Sequence, residues 1–349
     1  MSRALELAAE HGHERVTLVQ EPEVGLRAVL AIHSTALGPA VGGTRMRPYP
    51  SFDDAIVDAL ELSRAMTLKN AYAGLPYGGG KAVIFGEPLA EKTPALLAAY
   101  GRAVDELGGR FLTGGDMGVH VDDLAWIGRS TRHVGGAPEG VAFDSSDLTA
   151  LGVASALAAL SERLAIPAER LTVAIQGTGA VGARLARLLA ERGARLFLAD
   201  AVPARAEELA SELGAEAVPA DAILDVSCDV FSPNGAGGVL DEAALARLSC
   251  RAICGAANNP LADPLIGFDL AARGVVYAPD FVVSAGGVLS LLLETGATDE
   301  AGLVGRVERL GADLVELLDA AEAKSVPPFR LAERRVAERL ASARRSADR

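Results

Sequence analysis

The feature that most restricts the fold lies in the second half of the chain, where L-T-V-A-I runs into Q-G-T-G-A-V-G, a helix-periodic stretch to Arg192, then Gly193 and R-L-F-L-A-D. This reads as strand, Gly177-x-Gly179-x-x-Gly182, helix, strand and a terminal acid, Asp200, eighteen residues past Gly182. A lone G-x-G-x-x-G is a weak signal, but a strand before it, a helix after it and an acid at that distance make it a dinucleotide-binding unit. Gly177 permits the tight turn, Gly179 lets backbone approach a pyrophosphate, and Gly182 lets the helix pack close to the strand. Thr178, Ala180 and Val181 complete the cofactor-binding turn. Asp200 would accept hydrogen bonds from the adenosine ribose and repel a 2′-phosphate, which favours NAD, while Arg205 nearby leaves NADP open.

The units that follow repeat the alternation: D-V-F-S-P with N-G-A-G-G, R-A-I-C-G with A-A-N-N-P, and V-V-Y-A-P-D-F-V-V with S-A-G-G-V. Strands alternating with helices imply an α/β, doubly wound parallel sheet with ligand groups at strand C-terminal ends. Asn234, Asn258, Asn259 and Ser284 stand at such ends. Residues 134–147, rich in Gly, Ser, Asp and Pro, form the best domain boundary. The expected organisation is an N-terminal α/β substrate and oligomerisation domain over 1–144 and a Rossmann-type NAD-binding domain over 145–328, with a cleft between them. Residues 299–345 read as two amphipathic helices split near Pro327-Pro328, and the last, about 329–349, is expected to pack back on the first domain.

In the first half, R-V-T-L-V, L-R-A-V-L-A-I-H-S and A-V-G-G-T-R-M-R read as strands. Ser51 with Asp54 marks a helix start, with Ile56, Leu60, Ser63 and Met66 on one face and an end near Lys69. Only 4 of the 33 basic residues are lysine: Lys69, Lys81, Lys92 and Lys324. Arginine stays protonated in any protein environment, whereas a desolvated ammonium can lose its proton near neutral pH. Lys69 and Lys81 flank a glycine-rich turn, Gly78-Gly79-Gly80, in an apolar setting. Both could be plain surface cations, and Lys69 could simply favour a helix C-terminus. Asp116 ends the apolar strand F-L-T-G-G-D beside two glycines, which makes it a site candidate, while helix capping falls to Asp122 and Asp123.

The formal charge of −13 argues against nucleic acid and anionic membrane as partners. The opening residues lack a basic segment followed by an apolar core, so a cytoplasmic location is expected. Cys228, Cys250 and Cys254 sit in apolar stretches as reduced thiols. Among the histidines only His11 and His13 are closely spaced, near a mobile terminus, so no metal is expected.

The motifs G-P-A-V-G-G-T-R-M-R, M-T-L-K-N-A-Y-A-G-L-P-Y-G-G-G-K, T-G-G-D-M-G, Q-G-T-G-A-V-G, G-A-A-N-N and Y-A-P-D-F-V-V-S-A-G-G-V resemble, in order and over nearly the whole chain, the leucine/phenylalanine/valine dehydrogenase branch of the amino-acid dehydrogenases. The resemblance implies a reversible reaction: L-amino acid, water and NAD give 2-oxo acid, ammonia and NADH. It makes Lys69 the substrate-carboxylate lysine and Lys81 the catalytic lysine that activates water. Asp116 becomes the acid that handles protons on the substrate nitrogen. It places Thr149 and Ala257, Asn258 and Asn259 near the nicotinamide, and Gly42 and Gly43 against the substrate. It also implies a homo-oligomer assembled through the first domain.

By the same resemblance Val41, Gly114, Val288 and Leu291 line the side-chain pocket. They offer no charge for a glutamate side chain, so a hydrophobic amino acid is implied. One methylene is worth only about 1 to 3 kcal/mol in such a pocket, so leucine, valine and phenylalanine stay unseparated. Two positions depart from the family: Ser284 stands where asparagine usually precedes A-G-G, and Asn234 where many members carry P-C-A. The alternatives are a non-catalytic NAD-binding sensor of the same fold and a 2-hydroxy-acid dehydrogenase.

Overall fold

The apolar alternation of the first half forms five strands: β1 (Arg15–Glu21), β2 (Leu26–Ser34), β3 (Ala40–Arg47), β4 (Gly78–Phe85) and β5 (Phe111–Gly115). A computed structural model describes residues 3–135 and 144–347. The chain divides into two units, Met1–Gly136 with Val336–Arg349, and Ala137–Arg335. Most of the boundary read at 134–147 lies outside the described residues.

The first sheet has the order β1-β2-β4-β3-β5, antiparallel from β1 to β4 and parallel from β4 to β5. β2 is apolar on both faces because both are covered. Leu26, Leu30 and Ile32 pack with Leu96, Tyr100 and Val104 of the helix Pro94–Asp105. Val29 and Ala31 pack with Ala55, Val57, Ala59 and Leu60 of the long helix Phe52–Tyr72. Ser51 caps that helix, its hydroxyl accepting from the Asp54 amide at 3.2 Å. Burial does not follow the single stripe expected: Ile56 and Met66 stay partly exposed while Ala55, Ala59 and Ala65 are buried. Small side chains let the helix lie close to the sheet.

Gly78, Gly79 and Gly80 correct a second expectation, because they open strand β4 rather than form a turn. The reason is close packing on both faces. A Cβ at Gly78 would overlap the Ser34 carbonyl, one at Gly79 the Thr67 backbone of the long helix, and one at Gly80 the Phe111 ring.

In the second unit the strands are β6 (Thr172–Gln176), β7 (Arg195–Ala199), β8 (Glu216–Ala217), β9 (Val230–Pro233), β10 (Ala252–Ile253) and β11 (Val276–Tyr277). Their order is β11-β10-β9-β6-β7-β8, and the pairs are parallel. The order reverses between β6 and β9, and open parallel sheets bind ligands outside the strand ends at such a switch point. Three helices close the chain instead of the two expected, Glu300–Glu308, Leu310–Ala323 and Pro328–Ala347, the extra break falling at Arg309. Arg339 of the last donates to the carbonyls of Ala71, Gly74 and Leu75 at 2.8 to 3.1 Å, satisfying acceptors at the end of the long helix. No described helix is long and apolar enough to cross a membrane.

Candidate active site

In the first unit the site is built on the edges of three adjacent strands and the end of the long helix. Lys69 lies in the helix's last turn and Lys81 on β4; both are buried. Gly79, Lys81 and Val83 alternate onto one sheet face, the face on which Val83 joins the long helix's cluster. Asn70 ties the two elements together, donating to the Gly78 carbonyl at 2.6 Å, while its own Oδ1 is buried with no hydrogen-bond partner among the described residues. Register sets Val41 beside Gly79, Gly42 beside Thr113 and Gly43 beside Gly114. A Cβ at Gly42 would overlap the Gly80 carbonyl, and one at Gly43 would crowd the Asp116 side chain at 3.0 Å. These glycines therefore let β3 fit between β4 and the Asp116 corner.

Asp116 follows β5 and takes an ion pair from the Lys81 ammonium. Its other oxygen accepts from the Met117 amide at 2.7 Å. Arg45 approaches the same carboxylate, Nε to Oδ2 at 3.5 Å, and binds Asp58 of the long helix at 3.0 Å; Asp58 in turn accepts from the Tyr49 hydroxyl at 2.6 Å. Burial pushes the Lys81 ammonium below the usual lysine range, Arg45 pushes the same way, and Asp116 pulls it back. For Asp116 burial pushes upward, but the Lys81 and Arg45 cations overcome it and hold the carboxyl well below the usual range. A lysine biased toward losing its proton, beside a carboxylate fixed as an anion, is suited to proton transfer.

In the second unit the glycine turn has the geometry a dinucleotide needs. Gly177 has φ of +92°, a conformation that favours glycine, and its amide donates to the Ala199 carbonyl at 2.7 Å. Gly182 packs on the Gly177 carbonyl, where a Cβ would overlap it. Gly179 caps the helix Ala180–Glu191 and has open space where its Cβ would stand, so backbone amides of Gly179, Ala180 and Val181 are approachable. Asp200, just past β7, accepts from the Thr178 amide at 2.7 Å and the Val202 amide at 2.9 Å. Burial pushes its carboxyl upward, but those bonds and the Arg205 charge hold it below the usual range. Gln176 Oε1, at the end of β6, is buried without a hydrogen-bond partner among the described residues.

The strand-end residues form a belt. Asn234, after β9, spends its amide on Ser232 and accepts from the Ala256 amide at 3.0 Å. Ala257 donates its amide to the Pro233 carbonyl, and Asn259, with φ of +49°, donates its amide to Asp280 at 3.0 Å. Ser284 donates to the Asp280 carbonyl at 2.7 Å. Thr149, on the helix Ser145–Arg163, donates to Ser145 and lies where a Cβ at Gly287 would meet it at 2.6 Å. Val288 and Leu291 lie in the short helices Gly286–Leu289 and Leu291–Glu294, both partly exposed. Asn258 stands with Asn259 in the loop after β10. Lys69, Lys81, Asp116, Val41, Gly42, Gly43 and Gly114 are thus gathered in the first unit, and the remaining candidates in the second.

Sequence reasoning passed over Arg45, Asn70 and Asp280. Arg45 sits in a strand read from the sequence only as a strand, and its partner Asp116 is remote in sequence. Asp280 is buried and also accepts from the Tyr277 hydroxyl at 3.0 Å; it opens a short helix just after Pro279, and nothing local in the sequence marks it as more than a helix-start acid.

Two family models match the chain, described as the Glu/Leu/Phe/Val dehydrogenase dimerisation domain over residues 13–133 and Glutamate/Leucine/Phenylalanine/Valine dehydrogenase over residues 200–308. A valine dehydrogenase of Streptomyces coelicolor is 41% identical over 95% of this chain and 93% of its own length. The chain belongs to the Glu/Leu/Phe/Val dehydrogenase family. Its relatives within that family include a phenylalanine dehydrogenase of Caldalkalibacillus thermarum, 40% identical over 94% of this chain and 91% of its own. A leucine dehydrogenase of Thermoactinomyces intermedius is 38% identical, covering 97% and 93%. Among solved structures, the L-tryptophan dehydrogenase of Nostoc punctiforme shares 38% identity with this dehydrogenase at a TM-score of 0.77, covering 98% of this chain and 99% of that one.

Proposed function

We propose that this dehydrogenase catalyses the reversible, NAD-dependent oxidative deamination of a hydrophobic L-amino acid to its 2-oxo acid and ammonia. The observation that carries the reading is the buried Lys81 ammonium on β4 paired with Asp116, with a second buried lysine, Lys69, in the last turn of the long helix that packs on that strand. Lys69 is the cation for the substrate carboxylate. Lys81 takes a proton from the water that attacks the oxidised carbon, and Asp116 exchanges protons with the substrate nitrogen. The apolar Val41 and the bare Gly114 leave no charge for an acidic side chain, which supports a hydrophobic substrate.

The Gly177–Gly182 turn fits a pyrophosphate, and Thr178 and Asp200 stand where the adenosine ribose would meet them. Bound there, the nicotinamide cofactor would supply the hydride acceptor. Asp200 supports NAD over NADP because a carboxylate held ionised repels a 2′-phosphate. Asn234, Ala257, Asn258 and Asn259 in the loops after β9 and β10, Thr149 on the helix Ser145–Arg163 and Ser284 at the end of the helix Asp280–Val283 are the groups proposed to orient that cofactor. The family name of the first domain supports assembly as a homo-oligomer through that domain, and the chain's negative charge supports a role without nucleic acid or anionic membrane as partner.

The test is NADH formation with leucine, valine, isoleucine, phenylalanine and tryptophan at alkaline pH. Amino-acid-dependent reduction of NAD with at least one is expected. Silence with all five, alongside tight NAD binding, would favour a sensor.

A further inference from the structure

The proposed reaction gives Arg45 no role, although it faces the Lys81–Asp116 pair. It occupies β3 with 13% of its side chain exposed, and its guanidinium lies between two carboxylates from different elements. On one side Nη1 is 3.0 Å from Asp58 of the long helix, which Tyr49 also binds. On the other side Nε is 3.5 Å from Asp116 Oδ2, the oxygen that also takes the Lys81 ammonium. Nε is buried and makes no hydrogen bond among the described residues, so its attraction to Asp116 is the contact left to it.

A lysine facing a carboxylate alone has a difficulty as a base. The anion favours the protonated ammonium, and a buried pair isolated from water holds its proton firmly. A second, permanently charged cation on the same carboxylate changes the balance, because arginine cannot give up its proton and still faces Asp116 when Lys81 is neutral. We propose that Arg45 is a positioning residue for the deamination: it fixes Asp116 and shares its charge, so that Lys81 can release and retake a proton. Asp58 and Tyr49 set the guanidinium, and Asp58 tempers its effect by offering a second anion. The groups that act on Lys81 are thus Asp116 from the end of β5, Arg45 from β3 and Asp58 from the long helix, with Tyr49 acting through Asp58. The inference rests on the proposed amino-acid dehydrogenase reaction for its kinetic consequence, but not for its titration consequence.

Two variants test it. In Arg45→Gln the acid limb of kcat/KM against pH is expected to move up by about one pH unit, activity returning at high pH; Arg45→Lys should fall between it and the parent. Asp58→Asn removes the tempering anion and is expected to move the limb the opposite way, so the idea stays testable if Arg45→Gln does not fold. The chain has only four lysines, so competitive acetylation of the free enzyme can follow Lys81 directly. The pH at which Lys81 becomes reactive should shift with the limb in each variant, while Lys324 should not move. An active parent whose acid limb and Lys81 reactivity are unmoved in both variants would overturn the role. A parent inactive with every amino acid, yet showing the Lys81 shifts, would overturn the reaction and leave Arg45's hold on the pair standing.

Discussion

Replacing Lys81 separates chemistry from stability. Removing one member of a buried ion pair commonly costs about 3 to 5 kcal/mol, because the remaining charge is left uncompensated. In Lys81→Ala the remaining charge is not alone: Asp116 keeps Arg45 at 3.5 Å and the Met117 amide at 2.7 Å, and a quarter of its side chain is exposed. The expected loss is therefore lower, about 1 to 2 kcal/mol, which for units of this size lowers Tm by roughly 3 to 8 °C. A domain stable by about 5 to 15 kcal/mol stays folded at that cost. Positioned general-base catalysis contributes about 10²- to 10⁴-fold, so kcat should fall by that factor while the Kd for NAD holds within about twofold. Lys81→Arg sharpens the test, since a guanidinium can keep the pairing and the stability but cannot act as a base. Steady-state kinetics with calorimetric Tm and NAD titration give all three quantities. A Lys81→Arg variant turning over within about tenfold of the parent would refute the base role.

Other outcomes follow from neighbouring features. His33 is pushed down to about 4 by burial, with the His13 charge adding. Its folded value lies below its unfolded one, so its contribution is full above pH 6.5 and is lost as pH falls toward 4, on the order of 3 kcal/mol at most. Urea midpoints at several pH values should show that decline, and His33→Gln should flatten it; Asp116, also lowered, adds its loss only below about pH 4. Gly79→Ala would drive a methyl group into the Thr67 backbone, so a loss of about 1 to 3 kcal/mol and a raised amino-acid KM are expected, read by Tm and kinetics. Asp200→Ser should weaken NAD binding about tenfold and narrow the preference over NADP; an unchanged ratio of kcat/KM values would place cofactor choice elsewhere.

The parts of this fold written in local pattern were readable. The strand, Gly177-x-Gly179-x-x-Gly182, helix and Asp200 order needs no distant partner to be recognised, and Asp116 announces itself as an acid at a strand end beside glycines. What escaped was set by contacts remote in sequence. Gly78–Gly80 read as a turn because nothing nearby shows that Ser34, Thr67 and Phe111 press on them. Arg45 drew no reading because its partner Asp116 lies just past another strand, far away in sequence. His13 lay near what read as a mobile end, yet its ring bonds the Leu60 carbonyl and Ser63 at 3.0 Å and meets the His33 ring at 4.9 Å. Asn234, read at a strand end, links β9 to the loop after β10 by accepting from the Ala256 amide, whereas Ser284, also read at a strand end, closes the short helix Asp280–Val283 by donating to the Asp280 carbonyl, because the chain turns helical right after β11.

The most direct test of the proposed reaction runs it backwards. With NADH and the 2-oxo acid of a hydrophobic amino acid, NADH oxidation is expected only when ammonium is present, and ¹⁵N-ammonium should appear in the amino acid formed. NADH oxidation that proceeds equally in ammonium-free buffer, yielding the 2-hydroxy acid, would contradict it.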